Sequence, residues 1–121
     1  MEIKILVVED DMEMRELLDE YLGDNGFTVE SVGTGKEALE KFRSSKPQLV
    51  LLDVVLPDMN GFEVCKKMKA LSKTVKIIVY TGKVDAVDAA QARKAGADDF
   101  VVKTQDLSYV IESVRNLLKK K

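Results

Sequence analysis

Residues 49–61 read Leu-Val-Leu-Leu-Asp-Val-Val-Leu-Pro-Asp-Met-Asn-Gly. Residues 49–52 are apolar without a break, a pattern typical of a parallel strand that is covered on both faces. Asp53 follows this run directly, and a loop containing proline leads to Gly61, where an amphipathic segment begins. The stretch therefore predicts a buried parallel strand that ends in a carboxylate and is followed by a helix.

Similar short apolar runs occur along the whole chain and alternate with amphipathic segments. The other runs, each interpreted as a strand, are residues 3–8, 27–29, 76–80 and 100–102. The segments between them have apolar residues at helical spacing. The predicted helices cover residues 14–22, 34–42, 61–69, 84–95 and 107–118. Thr34 and Glu37 form a capping-box pattern, Gly96 is the predicted C′ residue of the fourth helix, and Asp106 is the predicted N-cap of the fifth.

This alternation of five strands with five helices predicts an α/β fold with a parallel sheet. Right-handed crossovers leave few topologies, and we expect the doubly wound strand order 2-1-3-4-5. The winding direction reverses between strands 1 and 3. In sheets of this kind, ligands bind at that point, outside the carboxyl ends of the strands.

Polar side chains follow the predicted strands at the edge of the sheet where a ligand would bind. Strand 1 is followed by Glu9, Asp10 and Asp11, strand 3 by Asp53, strand 4 by Thr81 and strand 5 by Lys103. Crowded carboxylates repel one another unless a cation lies among them, and hard oxygen ligands suit Mg²⁺ or Mn²⁺. An acidic turn after strand 1 argues against a flavin or dinucleotide, because it would repel the phosphate.

The composition excludes several classes of function. The 121 residues fit one domain, and a net charge of −2 with a pI of about 5.3 does not suggest binding to nucleic acid or to a membrane surface. One cysteine and no histidine exclude an internal disulfide, the common zinc sites and a phosphohistidine within the chain. No apolar run approaches the ~20 residues that span a bilayer, and the cysteine usage fits a reducing cytosol.

Some of the notable residues have simpler structural explanations. Asp11 is expected to be the N-cap of the first helix rather than a ligand. Cys65 and Met68 lie in the third predicted helix, where packing explains them better than redox chemistry does. Asp53 could be an ordinary strand-end acid, but the other polar groups converge on it in the predicted fold. We therefore keep Asp53 as the centre of the candidate site.

Four segments together carry a resemblance to a known family. They are residues 5–11 (Ile-Leu-Val-Val-Glu-Asp-Asp), 51–61, 77–82 (Ile-Ile-Val-Tyr-Thr-Gly) and 95–103 (Ala-Gly-Ala-Asp-Asp-Phe-Val-Val-Lys). In order and spacing they resemble the receiver domain of bacterial two-component response regulators, over essentially the whole chain. The resemblance implies one receiver domain over residues 1–121 with the doubly wound, flavodoxin-like (βα)₅ fold.

The resemblance also implies a role for the residues at the strand ends. Asp53 would accept a phosphoryl group, Thr81 would hydrogen-bond that group, and Lys103 would pair with its charge. Phe100 would be an aromatic switch that turns inward when Thr81 moves. The domain would then be a signalling switch rather than an enzyme, catalysing only its own phosphorylation and dephosphorylation.

A metal ion and protein partners follow from the same resemblance. Mg²⁺, or alternatively Mn²⁺, would be bound by Asp10 and Asp53, by Glu9 through water, and by the backbone carbonyl of Val55. A sensor histidine kinase in the cytoplasm would donate the phosphoryl group, and a downstream protein would read the switch by contact. We expect no direct binding of nucleic acid or membrane. A homodimer through the fourth helix, fifth strand and fifth helix is left open.

Three positions depart from the family pattern. Thr104 follows Lys103 where the family usually has proline, often with a cis bond, so we expect a trans or strained bond here. Val55 cannot orient a water molecule by hydrogen bonding, and Lys83 would place its charge over the phosphoryl group. We therefore predict slow self-dephosphorylation.

Two other functions fit parts of the pattern. A pseudo-receiver would keep the fold and bind partners without phosphorylation, but it would not need the acidic, hydroxyl and lysine residues that this chain retains. A metal-dependent phosphatase with an aspartyl nucleophile typically has a second aspartate two residues later, where this chain has Val55. Turnover of a phosphate ester by the protein alone would distinguish a phosphatase from a receiver.

Overall fold

A five-stranded parallel sheet forms the centre of the computed structural model, which describes residues 2–82, 86–103 and 106–119. The strands are β1 (Lys4–Val8), β2 (Thr28–Val32), β3 (Leu49–Leu52), β4 (Lys76–Thr81) and β5 (Asp99–Val102). The helices are α1 (Met12–Asp24), α2 (Gly35–Ser45), α3 (Gly61–Leu71), α4 (Ala86–Lys94) and α5 (Ser108–Lys119). Within the described ranges, no helix has both the length and the apolar character needed to cross a bilayer.

The strand order is β2-β1-β3-β4-β5, as predicted from the alternation of elements. Neighbouring strands are in a register that aligns their carboxyl ends: Val8 pairs with Leu52, Leu52 with Val79, and Thr81 with Val102. The residues that follow these strands are therefore brought to one edge of the sheet, and the winding reverses there between β1 and β3.

Each central strand contributes side chains to two hydrophobic layers, one on each face of the sheet. In β1, Ile5 and Val7 pack in the layer that contains α1 and α5, whereas Leu6 and Val8 pack in the layer that contains α2 and α3. This burial on both faces explains why the central runs are apolar without alternation. Cys65 and Met68 of α3 are fully buried in the second layer, as expected for packing residues.

Side chains at the helix ends satisfy backbone groups that the helices leave unpaired. Asp11 is the N-cap of α1 and accepts from the N–H groups of Glu13 and Met14, which confirms its predicted structural role. Thr34 caps α2 by accepting from Glu37 N–H at 3.1 Å. The reciprocal half of the predicted capping box differs, because the Glu37 carboxylate accepts from the Thr34 hydroxyl at 3.1 Å.

The ends of α4 and α5 also follow the predicted signals. Gly96 has a φ of +95° after α4, and its N–H donates to the carbonyl of Arg93 at 3.0 Å. Such a left-handed conformation favours glycine. Asp106 accepts from Ser108 N–H at 2.9 Å in the first turn of α5.

The largest difference from the predicted boundaries is in β2, which continues to Val32 instead of ending at residue 29. β2 is an edge strand, so polar side chains fit within it, and the Ser31 hydroxyl donates to Asp19 of α1 at 2.8 Å. In addition, α3 continues to Leu71. The predicted start of the fourth helix at Val84 lies outside the described residues.

Candidate functional site

A cleft of about 390 Å³ opens at the carboxyl edge of the sheet, where the winding reverses. The lining residues come from the ends of four strands and the loops that follow them: Glu9, Asp10, Asp11, Asp53, Val55, Thr81, Gly82 and Lys103. The structure therefore brings together every polar residue that the sequence placed at the strand ends.

Asp53 lies at the floor of this cleft and is only 3% exposed. Its backbone N–H donates to the carbonyl of Val8 at 3.0 Å, which continues the β1–β3 pairing by one residue. Its Oδ1 accepts from Val55 N–H at 3.0 Å, and its Oδ2 accepts from Lys103 Nζ at 2.6 Å. The carboxylate is thus held at both oxygens in one orientation.

Glu9 is a second buried carboxylate beside Asp53, with 1% exposure. Its Oε2 accepts from Asp11 N–H at 3.1 Å. Its Oε1 lies 2.7 Å from Lys103 Nζ, but the pair lacks hydrogen-bond alignment. Burial raises the pKa of Glu9 and the charge of Asp53 adds to that shift, whereas Lys103 opposes it.

Lys103 supplies the positive charge between these two carboxylates. Its backbone N–H donates to the carbonyl of Thr81 at 2.7 Å, and its side chain is 22% exposed. Burial alone would lower the pKa of Lys103, but the hydrogen bond to Asp53 and the negative charges of Asp53 and Glu9 outweigh burial and raise it. The ammonium group also lies 5.3 Å from the centre of the Tyr80 ring.

Three carboxylates in the cleft could hold a metal ion. Glu9, Asp10 and Asp53 each offer an oxygen, and these oxygens lie within 4.8 Å of one another. Two of the three residues are buried, and Glu9 Oε1 is a buried oxygen that has no hydrogen-bond partner among the residues the structure describes. Among the described residues that line the cleft, the ammonium group of Lys103 does not neutralise three carboxylates, and an all-oxygen site with excess negative charge fits a hard divalent cation such as Mg²⁺.

Val55 and Asp11 have different places in this arrangement. Val55 lines the cleft, pairs with Asn60 across the β3–α3 loop and has a side chain that is largely exposed. Asp11 lines the cleft too, but its carboxylate caps α1. Its absence from the group of potential ligands agrees with the expectation from the sequence.

Thr81 and Phe100 occupy separate surroundings. Thr81 is buried at the end of β4 and faces the cleft. Phe100 is half-buried on β5 and lies outside the cleft, in one surface groove with Tyr109 and Glu112 of α5 and in another with Ala89 of α4. Lys83, Thr104 and the Lys103–Thr104 peptide bond lie outside the described residues.

Two supporting contacts were not predicted from the sequence. Asp58, in the loop after β3, accepts from the backbone N–H groups of Gly35 at 2.8 Å and Lys36 at 3.0 Å at the start of α2. These hydrogen bonds lower the pKa of Asp58. The guanidinium of Arg15 donates to the carbonyl of Glu9 at 3.1 Å. Both contacts depend on how separate elements meet, for which the local sequence has no signal.

Comparison with known proteins places this arrangement in a family. Residues 5–115 match the family model described as "Response regulator receiver domain". The chain is 40% identical over 117 residues to the DNA-binding response regulator MtrA of Mycolicibacterium smegmatis, covering 97% of the chain and 51% of that relative. The chain therefore spans about half the length of the curated relatives that it matches.

Solved structures with the same fold include a response regulator and a chemotaxis protein. The response regulator TrrA of Thermotoga maritima, in complex with Mg²⁺–BeF, has a TM-score of 0.88 and 36% identity, with 95% of this chain and 98% of that chain covered. The chemotaxis protein CheY4 of Vibrio cholerae has a TM-score of 0.92 and 26% identity, with 97% and 99% covered. The flavodoxin-like arrangement predicted from the sequence is thereby confirmed.

Proposed function

Because this chain belongs to the family of response regulator receiver domains, we propose that Asp53 is the residue that accepts the phosphoryl group in this member. Receiver domains are the phosphoacceptor switches of two-component systems. The observation that carries the assignment is the position of Asp53. It is a buried carboxylate at the floor of the cleft, with Lys103 Nζ at 2.6 Å and two further carboxylates beside it.

The geometry suits transfer by positioning and charge. An oxygen of Asp53 attacks phosphorus, an O–P bond forms as the P–N bond of a phosphohistidine breaks, and an acyl phosphate results. Lys103 stabilises the negative charge on the equatorial oxygens of the phosphoryl group. Val55 N–H fixes the orientation of the attacking carboxylate through its bond to Oδ1.

Glu9, Asp10 and Asp53 are the side chains that would hold a divalent cation, together with the backbone carbonyl of Val55. Mg²⁺, when bound, offsets charge on the carboxylates and on the incoming phosphoryl oxygens. The oxygen ligands of the three carboxylates support this proposal, and so does the structural likeness to TrrA, which was solved in complex with Mg²⁺–BeF. Mn²⁺ prefers similar oxygen ligands and is the alternative ion.

The conformational change that follows phosphorylation would begin at Thr81 and Phe100. The hydroxyl of Thr81 would hydrogen-bond the new phosphoryl oxygens, and Phe100 would then leave the surface for the space that Thr81 vacates. Phe100 lies between α4 and α5, so the change would alter the face formed by α4, β5 and α5. This face is the proposed contact for a downstream protein, and a homodimer through it is a second use that we leave open.

The proposed partners are a sensor histidine kinase, which donates the phosphoryl group, and a downstream protein, which binds the phosphorylated domain. MtrA of M. smegmatis is named a DNA-binding regulator, but this chain covers about half of it. The net charge of −2 does not favour direct DNA contact by this chain. We further propose that the domain acts in the cytoplasm and turns over no substrate other than its own phosphoryl group.

Incubation with acetyl phosphate tests the proposal. We expect Mg²⁺ to support the addition of one phosphoryl group to the intact mass, chelation to prevent it, and Asp53→Asn to abolish it. Lack of any adduct, combined with failure to bind beryllofluoride, would instead favour a phosphorylation-independent pseudo-receiver. Continuous release of phosphate from an ester would favour a phosphatase.

A further inference from the structure

The ammonium group of Lys103 lies over the ring of Tyr80, a residue to which the proposed phosphoryl transfer assigns no role. Its Nζ is 5.3 Å from the centre of the Tyr80 ring, within the range of a cation–π interaction. The two carboxylates contact the same ammonium group, Asp53 at 2.6 Å and Glu9 at 2.7 Å. The charge is therefore confined by anions on one side and by a ring on another.

The ring itself is firmly held. Tyr80 is 1% exposed and belongs to the hydrophobic layer between the sheet and helices α1 and α5. Its hydroxyl donates to the Sδ atom of Met14 on α1 at 3.4 Å. Burial raises the pKa of Tyr80, so the hydroxyl stays protonated and available as a donor. The ring thus presents a fixed face to the lysine.

A lysine side chain needs such restraint more than most groups do. Its four-carbon stem has many rotamers, and ordering it has an entropic cost. A proline at position 104 would restrict the backbone of Lys103, but the sequence has threonine there. Among the described residues, the side chain of Lys103 is oriented by its contacts with the two carboxylates and with the Tyr80 ring.

We propose that Tyr80 is a positioning residue that holds the ammonium group of Lys103 over the cleft through its ring face. The inference rests on the proposed role of Lys103 in phosphoryl transfer. It assigns to the aromatic ring a contribution that an aliphatic residue of similar volume would not provide. The Tyr80 hydroxyl helps to hold the ring in place through its hydrogen bond to Met14, and it contributes less to the position of Lys103 than the ring face does.

Three kinds of substitution separate the ring face from the hydroxyl and from packing. Tyr80→Phe keeps the face and removes the bond to Met14, so its phosphorylation rate with acetyl phosphate and Mg²⁺ should stay within about twofold of the wild type. Tyr80→Leu keeps apolar volume and removes the face, so the rate should fall about tenfold. Progressively fluorinated phenylalanines at position 80 keep the shape but weaken the negative ring face, so the rate should fall stepwise.

The metal-free protein supplies a second readout that is independent of phosphorylation. In wild-type protein and in Tyr80→Phe, ¹⁵N relaxation of Lys103 Nζ should report an ordered ammonium group. The order should decrease along the fluorinated series and be lowest in Tyr80→Leu. If Tyr80→Leu does not fold, the fluorinated series still decides, because it does not change the packing volume appreciably.

If neither the phosphorylation rate nor the order of the Lys103 ammonium group changes along the fluorinated series, the proposal is overturned and Tyr80 has a packing role alone. Equal loss of activity in Tyr80→Phe and Tyr80→Leu would overturn it as well. If no variant, nor the wild type, accepts a phosphoryl group, the proposed function fails. The relaxation measurement would then still determine whether the ring orders Lys103.

Discussion

At the scale of single residues, the cleft depends on one cation between two buried anions. Glu9 and Asp53 are 1% and 3% exposed, and Lys103 Nζ lies within 2.7 Å of an oxygen of each. Buried charges of like sign are tolerated when an opposite charge lies between them. Lys103 is therefore a structural residue in the resting domain as well as a proposed participant in phosphoryl transfer.

Replacing Lys103 with methionine should reveal this structural role. Lys103→Met leaves two buried carboxylates without their cation, and we expect the free energy of unfolding to fall by about 2–3 kcal/mol in metal-free urea titrations. Added Mg²⁺ should stabilise the variant more than the wild type. Lys67→Met, at an exposed lysine for which the described residues offer no ion pair, is the matched control. Equal stability of both variants would contradict the role.

Val55 should set the lifetime of the phosphorylated state. Its exposed side chain borders the cleft and cannot hydrogen-bond a water molecule beside the acyl phosphate. Val55→Asn would supply a group that orients such a water, so the decay should be about tenfold faster when followed by intact mass after removal of the donor. Val55→Ala opens the same space without a polar group and should decay nearly as slowly as the wild type. Equal decay in all three proteins would disprove the idea.

At the scale of elements, the loop after β3 is tied to the start of α2 through Asp58. Its carboxylate accepts from two backbone N–H groups of that helix, where negative charge is also favoured by the helix dipole. The loop carries Val55, and Gly61 N–H closes it by donating to the carbonyl of Val54 at 3.0 Å. Gly61 fits because a Cβ there would meet the carbonyl oxygen of Asp53 at 2.5 Å.

The stability contributed by Asp58 should depend on pH with a definite sign. Hydrogen bonds from Gly35 and Lys36 lower its pKa in the folded state below the reference value of 3.8. Its contribution is therefore present above that value and lost as the pH falls through the folded-state pKa. Asp58→Asn should lower the Tm by about 2–5 °C at pH 7, with the difference shrinking as the pH falls below 4.

A control for this experiment is Asp24→Asn, at an exposed aspartate near the end of α1. An anion at a helix C-terminus is not favoured by the dipole, so this variant should show no loss of Tm at pH 7. A deficit in Asp58→Asn that stays constant from pH 7 to pH 3 would show that the ionised carboxylate does not supply the stabilisation.

At the scale of the whole molecule, much of the architecture could be predicted because burial is regular. β3 is covered on both faces, so its apolar run specified a central parallel strand, and the doubly wound order then placed Asp53 and Lys103 at one edge. The extent of β2 was missed because an edge strand tolerates polar residues. The Asp58 and Tyr80 contacts were missed because they join elements whose separation only the folded chain defines.

The roles of the site residues remain predictions. Asp11 as a helix cap and Cys65 as a packing residue are confirmed by hydrogen bonding and burial. The structure brings Glu9, Asp10 and Asp53 together, whereas Phe100 lies on another part of the surface. Sequence and fold place the Asp53 carboxylate in the cleft, and a phosphorylation experiment is needed to identify it as the acceptor.

Cys65 offers a probe of the cooperativity of the whole domain. It is fully buried in α3, and burial raises the pKa of its thiol to about 11, so the reactive thiolate is scarce and inaccessible in the native state. We expect a disulfide reagent at pH 8 to label Cys65 at a rate set by global unfolding. The labelling rate should therefore increase with urea concentration as the unfolded population does. Rapid labelling of the native protein, with no dependence on urea, would contradict the packing described for α3.

The central claim is that Asp53 carries the phosphoryl group, and reductive trapping tests it most directly. Borohydride reduces an aspartyl phosphate to homoserine, which peptide mass spectrometry can locate after treatment with acetyl phosphate and Mg²⁺. The account predicts homoserine at position 53 and at no other aspartate, with none when Mg²⁺ is chelated. Homoserine at Asp10 or Asp11, or a phosphorylated protein with no change at position 53, would contradict it.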